Sequence, residues 1–265
     1  MESWKKPVKW HFDRKDVKIY PIGDVHYGAF GHQAREWSAF CDKLQRENAY
    51  IIICGDMINN GLANSVDPYG DVLQPITQKD NMATMLRQIK DRILFVCGGN
   101  HEYRSRKASD DSVLYDICCR IGIEDRYREE GGVLLVKFGE QHHAQQNPMY
   151  SFFITHGTGG GVYTGGAVNR FENFANCLDG VDGLIAGHVH KTFVTSPSKI
   201  YVNPQSGKIS IRPFVVQTCV SWLDYVGYAV QKMLRPSTTA KHATTYMTLC
   251  GTKKQIALSQ IIIGQ

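Results

Sequence analysis

No stretch of this sequence approaches the roughly 18 consecutive apolar residues of a membrane span, and the opening "MESWKKPVKWHFD" carries cations without the apolar run of a secretion signal. A cytoplasmic protein that does not engage a membrane is the expectation. There is no low-complexity linker, no internal repeat and no convincing boundary between domains, so a single domain over 1–265 is expected. Of the eight cysteines, none has the paired spacing of a zinc knuckle. Cys54 and Cys97 close apolar runs ("YIIIC", "ILFVC"), and Cys118 and Cys119 sit in a helical pattern, so they read as reduced, mostly buried small hydrophobes. The net charge of +5 permits a polyanionic partner without arguing for one, and 43% hydrophobic residues suffice for a sizeable core.

What is present is an alternation of apolar runs and amphipathic stretches. "VKIYPIGD" reads as a strand; Trp37, Phe40, Cys41 and Leu44 then recur at i, i+3, i+4, i+7 on one helix face. "YIIICGD" follows, then a long loop over 59–75, then a helix near 76–90 with Met82, Met85, Leu86 and Ile89 on one side. "RILFVCGGNH" repeats the theme. This βαβαβ order predicts parallel neighbours in a sheet with helices on its faces. A further helix is expected over 110–121, capped by Ser109 or Asp110, and another around 167–178. "VLLVKF", "SFFITHG", "GLIAGHVH", "PFVVQTC", "TTYMTLC" and "QIALSQIII" read as strands, which makes the second half richer in β structure.

Polar residues gather at the ends of these strands: "GDVH" (Gly23 to His26), "GD" (Gly55, Asp56), "GGNHE" (Gly98 to Glu102), "HG" (His156, Gly157) and "GHVH" (Gly187 to His190). Five of the ten histidines lie there. Strand ends on one edge of an α/β sheet converge, and ligands bind in the crevice outside them. In extended backbone i and i+2 face the same way, so Asp24 with His26, and His188 with His190, can point into one site. Asn100 and His101 are adjacent and should point apart, with different tasks. Carboxylates, imidazoles and one amide, without thiolate, suit borderline divalent metals. Seven such groups are too many for one tetrahedral ion and the right number for two ions sharing a carboxylate.

In that order the five motifs resemble those of the calcineurin-like metallophosphoesterases, over roughly residues 17 to 193. Any one motif is weak evidence; five in sequence are specific. The resemblance implies an α/β fold of two mixed β-sheets packed as a sandwich and flanked by helices, with a β-rich part over 194–265 attached to the motif-bearing core. It implies one metal held by Asp24, His26 and His190, a second by Asn100, His156 and His188, and Asp56 bridging both. Mn²⁺ is the first expectation, with Fe, Zn, Ni or Co as alternatives. Two ions about 3.5–4 Å apart can activate a bridging water as nucleophile and clamp an in-line displacement at phosphorus, so no serine or cysteine nucleophile is required.

The resemblance assigns His101 to the phosphate, as proton donor to the leaving oxygen or as stabiliser of phosphoryl charge, with a carboxylate such as Asp24 as a possible partner. Arg104 and Arg106, two apart, can grip a phosphate together, although "RSRK" reads equally as a solvated basic face. The glycine-rich "HGTGGGVYTGGAVNRF" can bring backbone N–H groups to a phosphate or serve as a flexible loop. His142 and His143 receive no role, and Trp4, Trp10 and Trp222 read as packing residues. The motifs around "GNHEYRSRK" and "HGTGGG" also resemble phosphoesterases of phage and prophage genomes, which favours a phosphodiester substrate such as DNA, RNA or a nucleotide. A phosphomonoesterase and a non-catalytic binding subunit are the alternatives.

Overall fold

The computed structural model describes residues 3–63, 65, 70–139, 147–160 and 163–262. The chain opens with strand β1 (Val8–Phe12) and β2 (Asp16–Ile22), then helix α1 (Ala34–Arg46), β3 (Tyr50–Ile53), α2 (Pro75–Gln88) and β4 (Ile93–Cys97). Next come α3 (Glu102–Ser109), α4 (Val113–Ile121), β5 (Tyr127–Arg128), β6 (Gly132–Phe138), β7 (Met149–Thr155), α5 (Thr164–Ala175) and β8 (Gly183–Ala186). The last part holds β9 (Val194–Thr195), β10 (Ser198–Val202), β11 (Ile209–Pro213), β12 (Val215–Thr218), the short α6 (Tyr228–Gln231), β13 (Ala243–Cys250) and β14 (Ile256–Ile262).

Two six-stranded mixed sheets form, ordered β14-β13-β2-β3-β4-β5 and β1-β6-β7-β8-β12-β9. Their layering follows from the two-residue period of a strand. Ile51 and Ile53 of β3 pack with Trp37, Leu44, Met82 and Leu86 of α1 and α2, whereas Tyr50 and Ile52 face Phe138, Phe152 and Ile154 of the second sheet. On β8 the same alternation sends Ile185 between the sheets and Leu184 against Phe171 of α5. The two mixed sheets with helices on their outer faces are the architecture the resemblance implied. Among the described residues no helix is long and apolar enough to cross a membrane.

The helix expected over 110–121 starts later, at Val113, and a separate helix, α3, precedes it. Asp110 is the left-handed C-cap of α3 (φ 57°), and Ser112 precedes α4, so neither Ser109 nor Asp110 is the N-cap. The helix α3 escaped prediction because "EYRSRKAS" has no apolar face; it buries only Glu102 and Ser105. The helix expected around 167–178 begins earlier, at Thr164. The hairpin β10-β11 was also unforeseen, since Ile200, Val202, Ile209 and Ile211 alternate towards solvent instead of a core. Trp222 packs edge to face on Trp37 with centroids 5.2 Å apart, and Trp10 donates to the Leu94 carbonyl, but Trp4 is exposed.

Candidate metal centre

The motif residues lie just beyond β2, β3, β4, β7 and β8, where the parallel strands of both sheets end. Main-chain bonds tie these ends together: Asp24 N to the Gly55 carbonyl (3.2 Å), His26 N to the Asp56 carbonyl (3.0 Å) and Gly187 N to the His156 carbonyl (3.0 Å). Side chains add to them, with the Asp24 carboxylate accepting from His188 N (2.9 Å) and Asp56 Oδ1 from His101 N (2.8 Å).

The backbone achieves the convergence differently from the extended geometry expected. Asp24, His26, Asp56, His188 and His190 all have φ between 48° and 70°. A non-glycine residue in this left-handed region costs of order 1 kcal/mol, and such strain gathers at functional sites. Each turn swings its side chain back across the strand end into one cluster.

Three overlapping groups result: Asp24, His26 and His190; His26, Asp56 and His101; Asp56, His156 and His188. His190 Nε2 lies 3.4 Å from Asp24 Oδ1, and His156 Nε2 lies 3.3 Å from Asp56 Oδ2. Asn100 Oδ1 sits 2.8 Å from His156 Nε2 and 2.7 Å from His188 Nδ1. Asp56 Oδ2 is also 3.9 Å from His26 Nε2 and 3.9 Å from His101 Nε2, which sets this one carboxylate between the two sets of imidazoles.

The surroundings fix which ring nitrogens carry protons. His156 Nδ1 is 2.6 Å from the Cys54 carbonyl and must donate, which turns Nε2 towards the cluster, as a lone pair when the ring is neutral. Asn59 Nδ2 donates to Asp71, so its Oδ1 accepts from His26 Nδ1 at 3.2 Å and His26 Nε2 is likewise a lone pair. His190 Nδ1 meets Ser221 Oγ at 3.2 Å. Ring nitrogens therefore approach one another at 3.1 Å, His26 on His190 and His156 on His188, among two carboxylates and an amide oxygen. Imidazole nitrogens crowded against carboxylate and amide oxygens call for positive charge, which protons on the rings or bound cations can supply. Burial works to raise Asp56, but His156 and His101 outweigh it and hold the carboxyl well below the usual range. Burial works to lower His156, and Asp56 outweighs it and holds that ring well above its ordinary value. The donor set thus fits divalent cations, with outer partners of the kind that orient histidine ligands.

The profile of the calcineurin-like phosphoesterases matches residues 17–192, the stretch that carries all five motifs. The chain belongs to that family. It is accordingly a metal-dependent hydrolase of phosphoric esters. No curated protein sequence matches it. Among solved structures it is similar to a conserved uncharacterized protein of Streptococcus pneumoniae described as a predicted phosphoesterase (10% identity, 93% of this chain, 98% of that one, TM-score 0.35). It is also similar to GAP50, the anchor in the inner membrane complex of Plasmodium (11% identity, 94% and 85%, TM-score 0.48). Scores this low leave the family assignment to the motif-bearing segment.

Other expected site residues of the phosphoesterase are distributed unevenly. His101 sits at the cluster, edge to face on His26 with centroids 4.3 Å apart, and its Nδ1 donates to the Asn59 carbonyl at 2.7 Å, not to Asp24. Arg104 donates to His101 Nε2 (2.9 Å) and to the Asn59 carbonyl (2.9 Å). Arg106 does not join it. Two residues apart on a helix lie about 200° apart around the axis, and Arg106 pairs instead with Glu129 and Asp110. The expectation that the two arginines point together is therefore corrected: only Arg104 lies beside the cluster. Of the glycine-rich loop, Gly161 and Val162 lie outside the described residues, as do His142, His143 and part of the 59–75 loop; in the described part, Arg170 packs against Gly159.

Three residues with no assigned role build the outer frame. Glu102 is buried and accepts from four backbone N–H groups: Asp56 (2.9 Å), Met57 (2.7 Å), Ile58 (3.2 Å) and Gly99 (3.1 Å). It clasps the second motif to the third, across a contact so close that a Cβ on Gly99 would collide with Asp56. Burial, and then the charge of Asp56, push the Glu102 carboxyl up to about 7. Asn59 and Asp71 orient His26 as described. No spacing rule flags isolated polar residues of this kind; only Glu102 stood inside a motif.

Proposed function

We propose that this phosphoesterase holds two divalent ions and hydrolyses a phosphodiester, a nucleic acid or a nucleotide. The observation that carries the dinuclear part is the position of Asp56 Oδ2, 3.3 Å from His156 Nε2 and 3.9 Å from His26 Nε2. Asp24, His26 and His190 would hold one ion, Asn100, His156 and His188 the other, and Asp56 both. Mn²⁺ suits this oxygen and imidazole set, with Fe, Zn, Ni or Co as alternatives. Bound there, the ions would activate water and neutralise phosphoryl charge.

The protein's own groups hold the substrate and move the proton. Asn59 and Arg104 fix the His101 ring from both nitrogens, so its Nε2 edge faces the cluster at a set angle. With Nδ1 protonated, Nε2 is the atom that would take a proton and pass it to the leaving oxygen, releasing Arg104 to the phosphate. One guanidinium beside the centre, with Arg106 turned away, suits the single charge of a diester better than the dianion of a monoester.

The test is turnover of bis-p-nitrophenyl phosphate beside p-nitrophenyl phosphate with several metals. Faster diester hydrolysis with Mn²⁺ is expected. Efficient monoester turnover without diester turnover would make the protein a phosphomonoesterase, and turnover of neither would favour a binding subunit.

A further inference from the structure

The formal charge of +5 conceals a strong asymmetry. Residues 183–265 carry nine Lys and Arg (Lys191, Lys199, Lys208, Arg212, Lys232, Arg235, Lys241, Lys253 and Lys254) against one acid, Asp224, so the excess of the whole chain lies in its last third. Two of these cations serve the fold: Lys199 donates to the Ala175 and Leu178 carbonyls behind α5, and Lys254 pairs with Asp182. Lys191 directly follows His190, and Lys241 N donates to Gln33 Oε1 at 3.1 Å beside the loop after the first motif.

Residues 221–226 are fastened directly to that centre. Ser221 Oγ meets His190 Nδ1 at 3.2 Å and Trp222 N donates to the Asp24 carbonyl at 3.0 Å. The segment then pairs with the loop that follows the first motif. Gln33 N donates to the Trp222 carbonyl, Asp224 N to the Gly31 carbonyl, and His32 bridges Leu223 in antiparallel sense. Phe30 and Tyr225 each lie two residues beyond that bridge, on the two segments it joins. Phe30 is 71% exposed and Tyr225 41%, beside residues as buried as Trp222. Neither ring is covered by the fold, and each leaves a face open on which a planar ligand group could stack. Asp224, the acid of the 221–226 segment, is occupied by Gln33 Nε2 at 2.8 Å, and Asp71, bridged to Ala29, by Asn59 and Gln78. Lys191 follows the ligand candidate His190, and Arg235 is near enough to repel it, so two cations stand close together on this rim.

We propose that the rim built by residues 28–33 and 221–235 binds a single-stranded nucleic acid, stacking bases on Phe30 and Tyr225 and neutralising backbone phosphates with Lys191 and Arg235. The inference rests on the phosphodiester reading and adds the strand and its contacts. Aromatic platforms beside a cationic track are how strands with unpaired bases are held, because every base offers a face to stack. A duplex hides those faces. The rim leads to the metal centre through His190 and Asp24, so a strand lying on it would pass one of its phosphates over the cluster.

Fluorescence anisotropy of a short labelled phosphorothioate oligonucleotide, which resists hydrolysis, tests this on the purified, metal-loaded protein. Single strands should bind more tightly than the matching duplex. Phe30→Ala and Tyr225→Ala should each weaken binding about tenfold, the usual yield of one stacked base. Arg235→Ala should weaken it and reduce the slope of log affinity against log salt by about 0.7, the value for one phosphate of a single strand. Thermal melting checks that these surface variants remain folded. Absence of strand binding, equal affinity for duplex, or indifference to all three substitutions would overturn the proposal. Hydrolysis of bis-p-nitrophenyl phosphate by the unaltered protein is read separately: its loss would count against the phosphodiester reading, and its presence without strand binding against this rim alone.

Discussion

Glu102 Oε2 accepts the backbone N–H of Asp56 at 2.9 Å, so the glutamate of the third motif sets the turn that aims the central carboxylate of the second. The turn is strained, with Asp56 at φ 53°, and Glu102 Oε1 holds the next two N–H groups as well. Replacement by alanine would leave buried donors unmet, at about 1–3 kcal/mol for each one that water cannot reach. Glu102→Ala should lower the melting temperature and weaken metal binding roughly 10–100-fold, as expected for an outer partner of a ligand. Unchanged metal affinity by titration would show that the clasp does not position Asp56.

His101 is oriented by Asn59 and Arg104 and lies beside the proposed ligands. His101→Ala should retain both metals and lower kcat by about 10²–10⁴-fold. A series of diesters with leaving groups of rising pKa separates the two possible tasks. If His101 donates the proton, the loss shrinks for good leaving groups; an equal loss across the series means that it stabilises charge instead.

Arg104 and Arg106 should behave differently despite their spacing. Arg104→Ala removes the donor to His101 Nε2, and kcat/KM should fall at least about tenfold, the worth of one charged hydrogen bond. Arg106→Ala breaks a surface pair with Glu129 and should leave kcat/KM within about twofold. Equal losses from both would contradict the orientation of α3.

The sheets and the five strand ends were legible because buried strands need unbroken apolar runs and metal ligation permits few residue types. The path of the ligands was not. Asp24, His26, His188 and His190 meet through left-handed turns, a backbone choice that alternation in the sequence does not reveal. Helix α3 was hidden because it buries a carboxylate and a hydroxyl where a helix normally buries apolar groups, and β10-β11 because its aliphatic side chains face water. Asn59, Asp71 and Glu102 act through hydrogen bonds to partners that only folding brings near. The cationic last third was legible, but averaging it into the whole-chain charge concealed it.

Away from the centre, Glu47 accepts from Tyr20 and Lys18 through one oxygen, each at 2.7 Å. Burial works to raise its pKa, but the Lys18 and Tyr20 hydrogen bonds outweigh it and hold the carboxyl below its ordinary value. A carboxyl depressed in the folded state contributes stability that is complete above its unfolded pKa, about 4.3, and lost as pH falls through the folded value. Glu47→Gln should therefore cost about 1 kcal/mol at neutral pH, discounted for partial exposure, and progressively less in acid. Urea midpoints of both proteins at neutral and acidic pH check this; a gap that persists in acid contradicts it.

The number of metal ions in fully active protein, measured by elemental analysis after reconstitution with Mn²⁺, bears most directly on the proposed centre. Two ions per chain are expected, and Asp56→Asn should lose metal and activity together, because its Oδ2 lies between the imidazoles of both sets. One ion or none in protein with full activity would contradict the dinuclear account.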